Sequence, residues 1–130
     1  MSFSVQLNRF HKKSLKQCED ASREIQLRLF RAVVLDTPVL EGTLRGNWQF
    51  TKDRPASGTV ESTDNPMAEI EEGLSSFRLG DTTYLTNNLP YAYPIEFYGW
   101  SHTKAPQGMV RKNVLRLNRL AAAVAREINR

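Results

Sequence analysis

Nucleophilic catalysis is the first chemistry that the residue types of this sequence suggest. In the segment Ser101-His102-Thr103-Lys104, a serine and a lysine are three positions apart, so at a helix start the lysine could activate the serine hydroxyl. The penicilloyl-serine enzymes that use such a pair need two further motifs, and neither is in the sequence. A polar loop leading to Pro106 is the favoured interpretation, and a small enzyme centred on this pair is kept as an alternative.

Metal binding would require the two histidines, the single cysteine and nearby carboxylates. His11 and Cys18 lie about 10.5 Å apart along a helix axis, whereas zinc binds its ligands at about 2.0–2.3 Å, so one ion cannot bind both. A site at His102 has no supporting ligand spacing. We therefore expect no metal, and the scattered glycines, which follow no phosphate-binding pattern, predict no nucleotide cofactor.

Three glutamates, Glu69, Glu71 and Glu72, form the closest group of carboxylates. A hydrolase would need one of them in an apolar pocket, where its pKa would rise enough for acid catalysis. On a short helix, these side chains are expected on a solvated face that pairs with a basic neighbour. The sequence thus predicts no catalytic residues and a protein that is not an enzyme.

Charge is unevenly distributed along the 130 residues, whose formal net charge is +4. Residues 1–35 carry +4, residues 36–65 carry −2, residues 66–100 carry −4 and residues 101–130 carry +6. An acidic middle between two basic ends favours head-to-tail contact between copies, or a basic face toward DNA. No stretch approaches the roughly 18 consecutive apolar residues of a membrane span, so no membrane partner is expected.

Two clusters could contact nucleic acid. Basic side chains recur through the last segment at Arg111, Lys112, Arg116, Arg119, Arg126 and Arg130. They surround the predicted helix, so any contact with DNA is expected to be nonspecific. Aromatic side chains cluster at Tyr91, Tyr93, Phe97, Tyr98 and Trp100. Their rings could stack on bases, but packing and subunit contact are favoured, since aromatic residues dominate cores and interfaces.

The elements that carry these residues predict an α+β fold in a single domain of residues 1–130. It consists of a long N-terminal helix, a small antiparallel sheet with a short helix, and a C-terminal amphipathic helix. Apolar residues recur at helical spacing from Cys18 to Val33, and the turn at 36–38 ends the first helix. From about residue 5 to 35, this helix would be on the order of 45 Å long, which exceeds a compact domain of this size. Its first turns are therefore expected to project or to lie on a neighbouring subunit.

The middle of the chain predicts strands and turns. Four apolar or small residues alternate with polar ones and predict a strand with one face in the core: Leu44, Gly46, Trp48 and Phe50. Further strands are predicted at 59–63 and 82–87, with a short helix at 67–77 that Gly73 weakens. After a turn at 88–90, the last third predicts one helix with an apolar face at Val110, Val114, Leu117, Ala121, Val124 and Ile128.

Three segments resemble a family of bacteriophage proteins. Residues 37–48, TPVLEGTLRGNW, resemble the T-P-V-x-T-G-x-L-R-x-S-W segment of the small tail-completion, or neck, proteins of long-tailed double-stranded DNA bacteriophages. Residues 91–99, YAYPIEFYG, resemble the Y-A-x-x-x-E-x-G segment of that family, and residues 105–111, APQGMVR, match its lead into the last helix. The chain departs from these patterns at Glu41, at Asn47 and by one extra residue, Tyr98, as a divergent member would.

The resemblance implies a structural virion protein, made in the host cytoplasm, that forms a ring between the head connector and the tail tube. The ring is expected to be a hexamer with a channel for DNA. Its other partners would be head-completion or connector proteins and tail terminator or tail tube proteins. Residues expected at interfaces or in the channel are Arg45, Tyr91, Tyr93, Glu96, Tyr98, Arg111 and Arg119. In this interpretation Arg45 anchors a salt bridge or faces the channel, and Trp48 belongs to the sheet core.

Two other functions stay open at this point. A tail terminator, the ring that caps the tail tube, is built from proteins of similar size that are also α+β, so only the identity of the partners separates it from a neck protein. A nonspecific DNA-binding protein would use the two basic ends, and it predicts an affinity for DNA that falls steeply with salt.

Overall fold

The computed structural model describes residues 3–39, 42–98 and 108–128, with side chains from Ser14 onward. The elements of this part of the chain are α1 (Phe3–Leu35), α2 (Thr43–Gly46), β1 (Gln49–Lys52), α3 (Met67–Ser75), β2 (Thr83–Thr86), α4 (Ala92–Tyr98), α5 (Arg111–Leu115) and α6 (Leu117–Ile128). The predicted α+β fold is confirmed, with a long N-terminal helix, a small antiparallel sheet and further helices.

Helix α1 has 33 residues and is about 50 Å long at 1.5 Å per residue. It ends where the sequence predicts. The Thr37 amide bonds to the carbonyl of Val34, and Thr37 Oγ1 donates to the carbonyl of Val33. Pro38 follows, and a residue before proline is disfavoured in the helical conformation. The turn therefore satisfies carbonyls that the end of the helix would otherwise leave unpaired.

Strands β1 and β2 form a two-stranded antiparallel sheet in which Gln49 pairs with Thr86 and Lys52 with Thr83. The strand predicted at 82–87 is confirmed as β2. The strand predicted from Leu44 begins only at Gln49, because residues 43–46 form the single helical turn α2. Gly46 lies so close to the backbone at Ser62 that a Cβ atom would sit 2.1 Å from that carbonyl oxygen. Only a residue without a side chain fits at this point of α2.

The strand predicted at 59–63 is wrong, since that segment has no regular secondary structure. This segment is hydrogen-bonded to the side chain of Asn47, which is fully buried, and not to a neighbouring strand. Asn47 Oδ1 accepts the Val60 N–H at 2.8 Å, and Asn47 Nδ2 donates to the carbonyl of Thr43 at 2.8 Å. One side chain therefore ties this segment to α2 and satisfies a backbone donor that a sheet would otherwise satisfy.

Helix α3 begins after Pro66 as predicted and ends at Ser75, two residues earlier than predicted. Arg23 of α1 closes its C-terminal end, because its guanidinium donates to the carbonyls of Leu74 at 3.0 Å and Phe77 at 2.7 Å. Carbonyls at a helix end lack intrahelical partners, so this arginine both satisfies them and fixes α3 against α1.

The hydrophobic core lies where α1, α3, the sheet and the chain around α4 and α5 meet. Its buried members are Val33, Val34, Leu44, Trp48, Ile70, Leu74, Phe77, Ala92 and Met109. Helix α1 packs against α3, α5 and α6, so it is the element that connects the two halves of the fold. Trp48 is buried, as expected, and its Nε1 donates to Thr37 Oγ1 at 2.7 Å.

The single C-terminal helix that the sequence predicts is divided at Arg116 into α5 and α6. Buried Asn113 fixes α5 to the end of α1, since its Nδ2 donates to the Asp36 carboxylate at 2.8 Å. Val124 of α6 is fully buried, whereas Val114 of α5 is 48 % exposed. The division therefore removes Val114 from the apolar face that an unbroken helix would present.

Candidate assembly surface

Four of the residues expected at an interface lie on helix α4 or next to it. The sequence did not predict this helix. Pro94 lies in the first turn of α4. Backbone amides of a first turn have no intrahelical acceptor, so proline is tolerated at that point. Ala92 faces the core, whereas Tyr93 lies on the outer side of the helix.

Three aromatic rings form an exposed cluster on α4. Tyr93 lies at the centre, with its ring centroid 4.5 Å from that of Phe97 and 5.6 Å from that of Tyr98. The three residues are 46–64 % exposed, so they do not belong to the core of this chain. We call Tyr93, Phe97 and Tyr98 the aromatic cluster. Rings that contact one another at the surface present a rigid apolar area of the kind found at the centres of interfaces.

Glu96 also lies on α4 but, unlike the aromatic cluster, it is buried. Its carboxylate accepts hydrogen bonds from three successive backbone amides, those of Met109, Val110 and Arg111, with the last two at 2.9 and 2.8 Å. These amides open α5. A carboxylate at a helix N-terminus satisfies unpaired donors and interacts favourably with the helix dipole. Glu96 therefore fixes the start of α5 against α4.

Two further groups complete this contact. Gly108 has φ of 83° and lies so close to α4 that a Cβ atom would sit 2.6 Å from the Glu96 carbonyl oxygen. Only glycine adopts this conformation at so short a separation without strain. Arg111 Nε is 3.2 Å from Glu96 Oε1, and the Arg111 guanidinium also donates to the Glu96 carbonyl.

The environment of Glu96 has opposing effects on its pKa. Burial raises the pKa, because a buried carboxylate loses hydration. The three backbone donors and the Arg111 guanidinium favour the charged form, and together they hold the pKa of Glu96 below its ordinary value. Glu96 is therefore ionised when it holds α5.

Arg111 is engaged within the chain as well as exposed. Its guanidinium carbon lies 4.6 Å from the centroid of the Phe97 ring, in a cation–π contact, while its Nε pairs with Glu96. Arg111 thus connects the buried carboxylate to the aromatic cluster. The side chain is oriented by these contacts and is not a freely extended cation.

The remaining expected site residues lie apart from this group. Tyr91 is exposed just before α4, and Arg119 is exposed on α6. Arg45 lies in α2, where its Nε is buried and finds no hydrogen-bond acceptor among the described residues. The structure thus brings together Tyr93, Glu96, Tyr98 and Arg111, and it leaves Arg45, Tyr91 and Arg119 outside that group.

The structure describes only some of the residues considered for catalysis and metal binding. Ser101, His102 and Lys104 lie outside the described residues, and so does the side chain of His11. The three glutamates of α3 are exposed, and Glu71 pairs with Arg31 at 3.3 Å, as expected for a solvated face. Among the side chains that are described, no group of three or more histidines, cysteines or carboxylates could hold a metal ion.

Comparisons of the chain with protein-family models, with curated proteins and with solved structures found no match. None of the helices in the described ranges is long and apolar enough to cross a membrane. The fold and the site together define a small α+β protein with a rigid, exposed aromatic cluster.

Sequence reasoning missed two features of this surface. The first is the role of Glu96 as the cap of α5, since no local signal connects a carboxylate to a helix that begins 15 residues later. The second is Phe97, which was noticed as part of an aromatic run but not singled out. A helical reading of 92–98 would have placed Tyr93 and Phe97, four positions apart, on one face.

Proposed function

We propose that this chain is a structural subunit of the head–tail junction of a long-tailed bacteriophage, a neck or tail-completion protein. Copies of the chain form a ring, a hexamer in the simplest case, that joins the head connector to the tail tube in the virion. The ring leaves a channel for DNA. Its role is assembly and requires no covalent chemistry.

The observation that carries the proposal is the aromatic cluster on α4. Six of the eleven large hydrophobic side chains that the described residues expose lie between Tyr91 and Leu115, on or beside α4 and α5. Such a concentration marks an interaction surface more often than scattered single residues do. Glu96 and Arg111 hold the surface rigid, so little conformational entropy is lost when a partner covers it.

The resemblance of three segments to the neck family supports the same function. In this chain, the matching residues are held by contacts within the fold: Thr37 with Trp48, and Glu96 with the start of α5. Residues with structural roles of this kind would recur in a family whose members share a fold but no catalytic centre.

The test is removal of the gene from the phage that encodes the chain. We expect lysates with DNA-filled heads and separate tails, and joined particles again when the chain is supplied from a plasmid. Electron cryomicroscopy of joined particles without imposed symmetry should show a ring of this chain at the junction. Normal titres of joined particles that lack the chain would overturn the proposal.

Variants of the aromatic cluster refine this test. Tyr93→Ser with Tyr98→Ser should leave the fold intact and fail to restore joined particles. Leu79→Ser is the matched control, because Leu79 is also an exposed apolar side chain but lies away from α4. Equal restoration by both variants would show that the cluster is not the assembly surface.

The tail terminator remains the second candidate, and tail length distinguishes the two functions. Loss of a cap that ends tube growth should give tails of variable length, whereas loss of a neck ring should leave tails of one length. For the DNA-binding alternative, two of the basic residues are already paired, Arg111 with Glu96 and Lys112 with Asp36. Each of these pairs reduces the charge available to phosphates.

A further inference from the structure

The exposed side of α6 carries arginines that no described residue neutralises. Arg119, Ala122 and Arg126 are three and four positions apart, so they share one side of the helix, and all three are exposed. Arg116, between α5 and α6, and Leu115, the last residue of α5, precede this side in the chain. Leu115 is 85 % exposed, more than any other large hydrophobic side chain in the described residues. We call these five residues the basic face.

A pocket of about 270 Å³ opens on the surface beside β1 and α3. Its apolar lining includes Trp48, Phe50 and Val60, and Asp64 and Glu69 supply its acidic lining. Both acidic residues are exposed, and neither forms an ion pair with any residue that the structure describes. We call this site the acidic pocket. It combines an apolar floor, large enough for a leucine side chain, with two negative charges.

Helix α1 packs against the helices of both surfaces, α3 beside the acidic pocket and α6 with the basic face. Arg31 of α1 pairs with Glu71 of α3, the helix that carries Glu69, at 3.3 Å. Arg28 of α1, three positions earlier, pairs with Glu127 of α6. Both surfaces are therefore carried by elements that α1 holds in place.

We propose that Leu115 of one copy enters the acidic pocket of the next, with Arg116 and Arg119 facing Asp64 and Glu69. The occupant of the pocket is a second copy of this chain. This inference rests on the proposed function, because it supplies the contact that a ring of identical subunits requires. It names the two surfaces that meet.

Charge determines the orientation of this contact. Two basic faces repel each other, and so do two acidic pockets, so a symmetric pairing of like surfaces is disfavoured. Contact between unlike surfaces is favoured, and in a ring this contact is heterologous, because each copy offers one surface to each neighbour. Heterologous contacts of identical subunits close into rings when the rotation between neighbours permits.

Sedimentation velocity of the purified chain over a concentration series tests the proposal. We expect reversible association at low salt that weakens as salt increases, because exposed charge pairs are screened. Leu115→Ser should weaken association by about tenfold to a hundredfold, the range expected for losing one buried leucine contact. Leu35→Ser is the matched control, because Leu35 is an exposed leucine on another element, and it should leave association unchanged.

Charge reversal provides an independent test. Arg119→Glu alone and Glu69→Arg alone should each weaken association by about tenfold or more, since each places like charges together. The two changes in one chain restore opposite charges at every contact and should recover association to near the original strength. Arg54→Glu, the same change in an exposed loop, controls for the altered net charge.

A mixture distinguishes a contact between the basic face and the acidic pocket from a contact between two like surfaces. Leu115→Ser copies keep a functional acidic pocket, and Glu69→Arg copies keep a functional basic face. At a concentration where each variant alone is monomeric, the mixture should form one-to-one dimers that grow no further. A contact between two like surfaces predicts no such dimer, so monomers in the mixture would contradict the proposal.

Three other outcomes would also overturn the proposal. The chain could stay monomeric at low salt and high concentration, or Leu115→Ser could leave association unchanged. The third is a double charge-reversal variant that does not recover association. If Arg119→Glu instead abolishes binding of duplex DNA while association is unaffected, the basic face serves nucleic acid. The gene-removal experiment reports on head–tail joining alone. If the association experiments contradict this contact but removal of the gene still gives separate heads and tails, the inference is wrong and the proposed function is retained.

Discussion

Glu96 acts as the N-terminal cap of α5 although it belongs to α4. Helix caps are usually short side chains adjacent in sequence, because they reach the first free amides at little entropic cost. In this chain the carboxylate comes from a neighbouring helix, accepts three backbone amides and pairs with Arg111. A negative charge at that point satisfies the donors and the helix dipole together.

Removal of this carboxylate should therefore destabilise the protein. We expect Glu96→Ala to lower the free energy of unfolding by roughly 3 kcal/mol, since it leaves backbone donors and a guanidinium without acceptors. Glu96→Gln, which keeps the shape and one acceptor oxygen, should cost less. Urea unfolding monitored by circular dichroism measures both. Unchanged stability in Glu96→Ala would show that water replaces the carboxylate without loss.

The contribution of Glu96 should also depend on pH in a defined direction. Its pKa is held below the ordinary value of 4.5, so ionised Glu96 stabilises the folded state. This stability is fully present above the pKa of the unfolded chain and is lost as the pH falls through the folded pKa. The difference in unfolding free energy between the wild type and Glu96→Gln should thus be constant near neutral pH and shrink below 4.5. A difference that grows on acidification would contradict this assignment.

A second buried polar contact joins the end of α1 to the residue before β1. Trp48 Nε1 donates to Thr37 Oγ1, which in turn donates to the carbonyl of Val33. Thr37→Val should cost about 1–3 kcal/mol, because it leaves the indole N–H buried without an acceptor. Trp48→Phe removes that donor. The double variant should therefore cost less than the sum of the single variants, as urea unfolding of all four proteins would show. Strict additivity would mean that the two side chains do not interact in solution.

At the scale of elements, close approach decides where helices and strands lie. Gly73 weakened the sequence prediction of α3, because glycine is a poor helix former. Its position in the fold explains its presence: a Cβ atom there would lie 2.4 Å from Cε1 of Phe50 on β1. The absence of a side chain lets α3 pack directly on the sheet.

Replacement of Gly73 should therefore destabilise the protein, whereas the same change stabilises an isolated helix. Gly73→Ala improves helix propensity, yet we expect it to lower stability by about 1–3 kcal/mol, since the Phe50 ring must move. Gly58→Ala is the control, because a Cβ atom there would meet nothing within 4 Å, and its effect should be within about 0.5 kcal/mol. Thermal or urea unfolding compares the two. A stabilised Gly73→Ala protein would refute the close contact between α3 and β1.

At the scale of the whole molecule, one hydrophobic core connects residues from α1 through Met109. Helix α1 contributes to this core and also packs against α5 and α6, so neither half of the chain has a separate core of its own among the described residues. A small protein with one core usually unfolds in a single cooperative transition. The prediction of a single domain can therefore be tested by measuring how the protein unfolds.

We expect helix content and the environment of Trp48 to change together on unfolding. The Trp100→Phe background leaves Trp48 as the sole tryptophan, because the chain contains two. Far-ultraviolet circular dichroism and tryptophan fluorescence should give coincident transitions in urea. Separate transitions would show that part of the helical structure unfolds independently of the core, contrary to a single domain.

Local patterns in the sequence were sufficient for the features that depend on near neighbours. Helical spacing of apolar residues predicts α1, and the proline after Thr37 predicts its end, because both depend on contacts within a turn or two. The residues 82–87 predict β2 through their strand composition. The charge distribution likewise indicates opposite surfaces without any knowledge of the fold.

Other features depend on groups that are distant in sequence, and only the tertiary structure decides them. Alternation at 44–50 fits a strand, yet residues 43–46 form the helical turn α2, in which Gly46 packs against the backbone at Ser62. The carboxylate of Glu96 finds its donors 13–15 residues away, and Arg23 finds the end of α3 more than 50 residues away. Periodicity encodes which side chains are buried. It does not encode their partners, because polar contacts depend on the approach of elements that the hydrophobic core brings together.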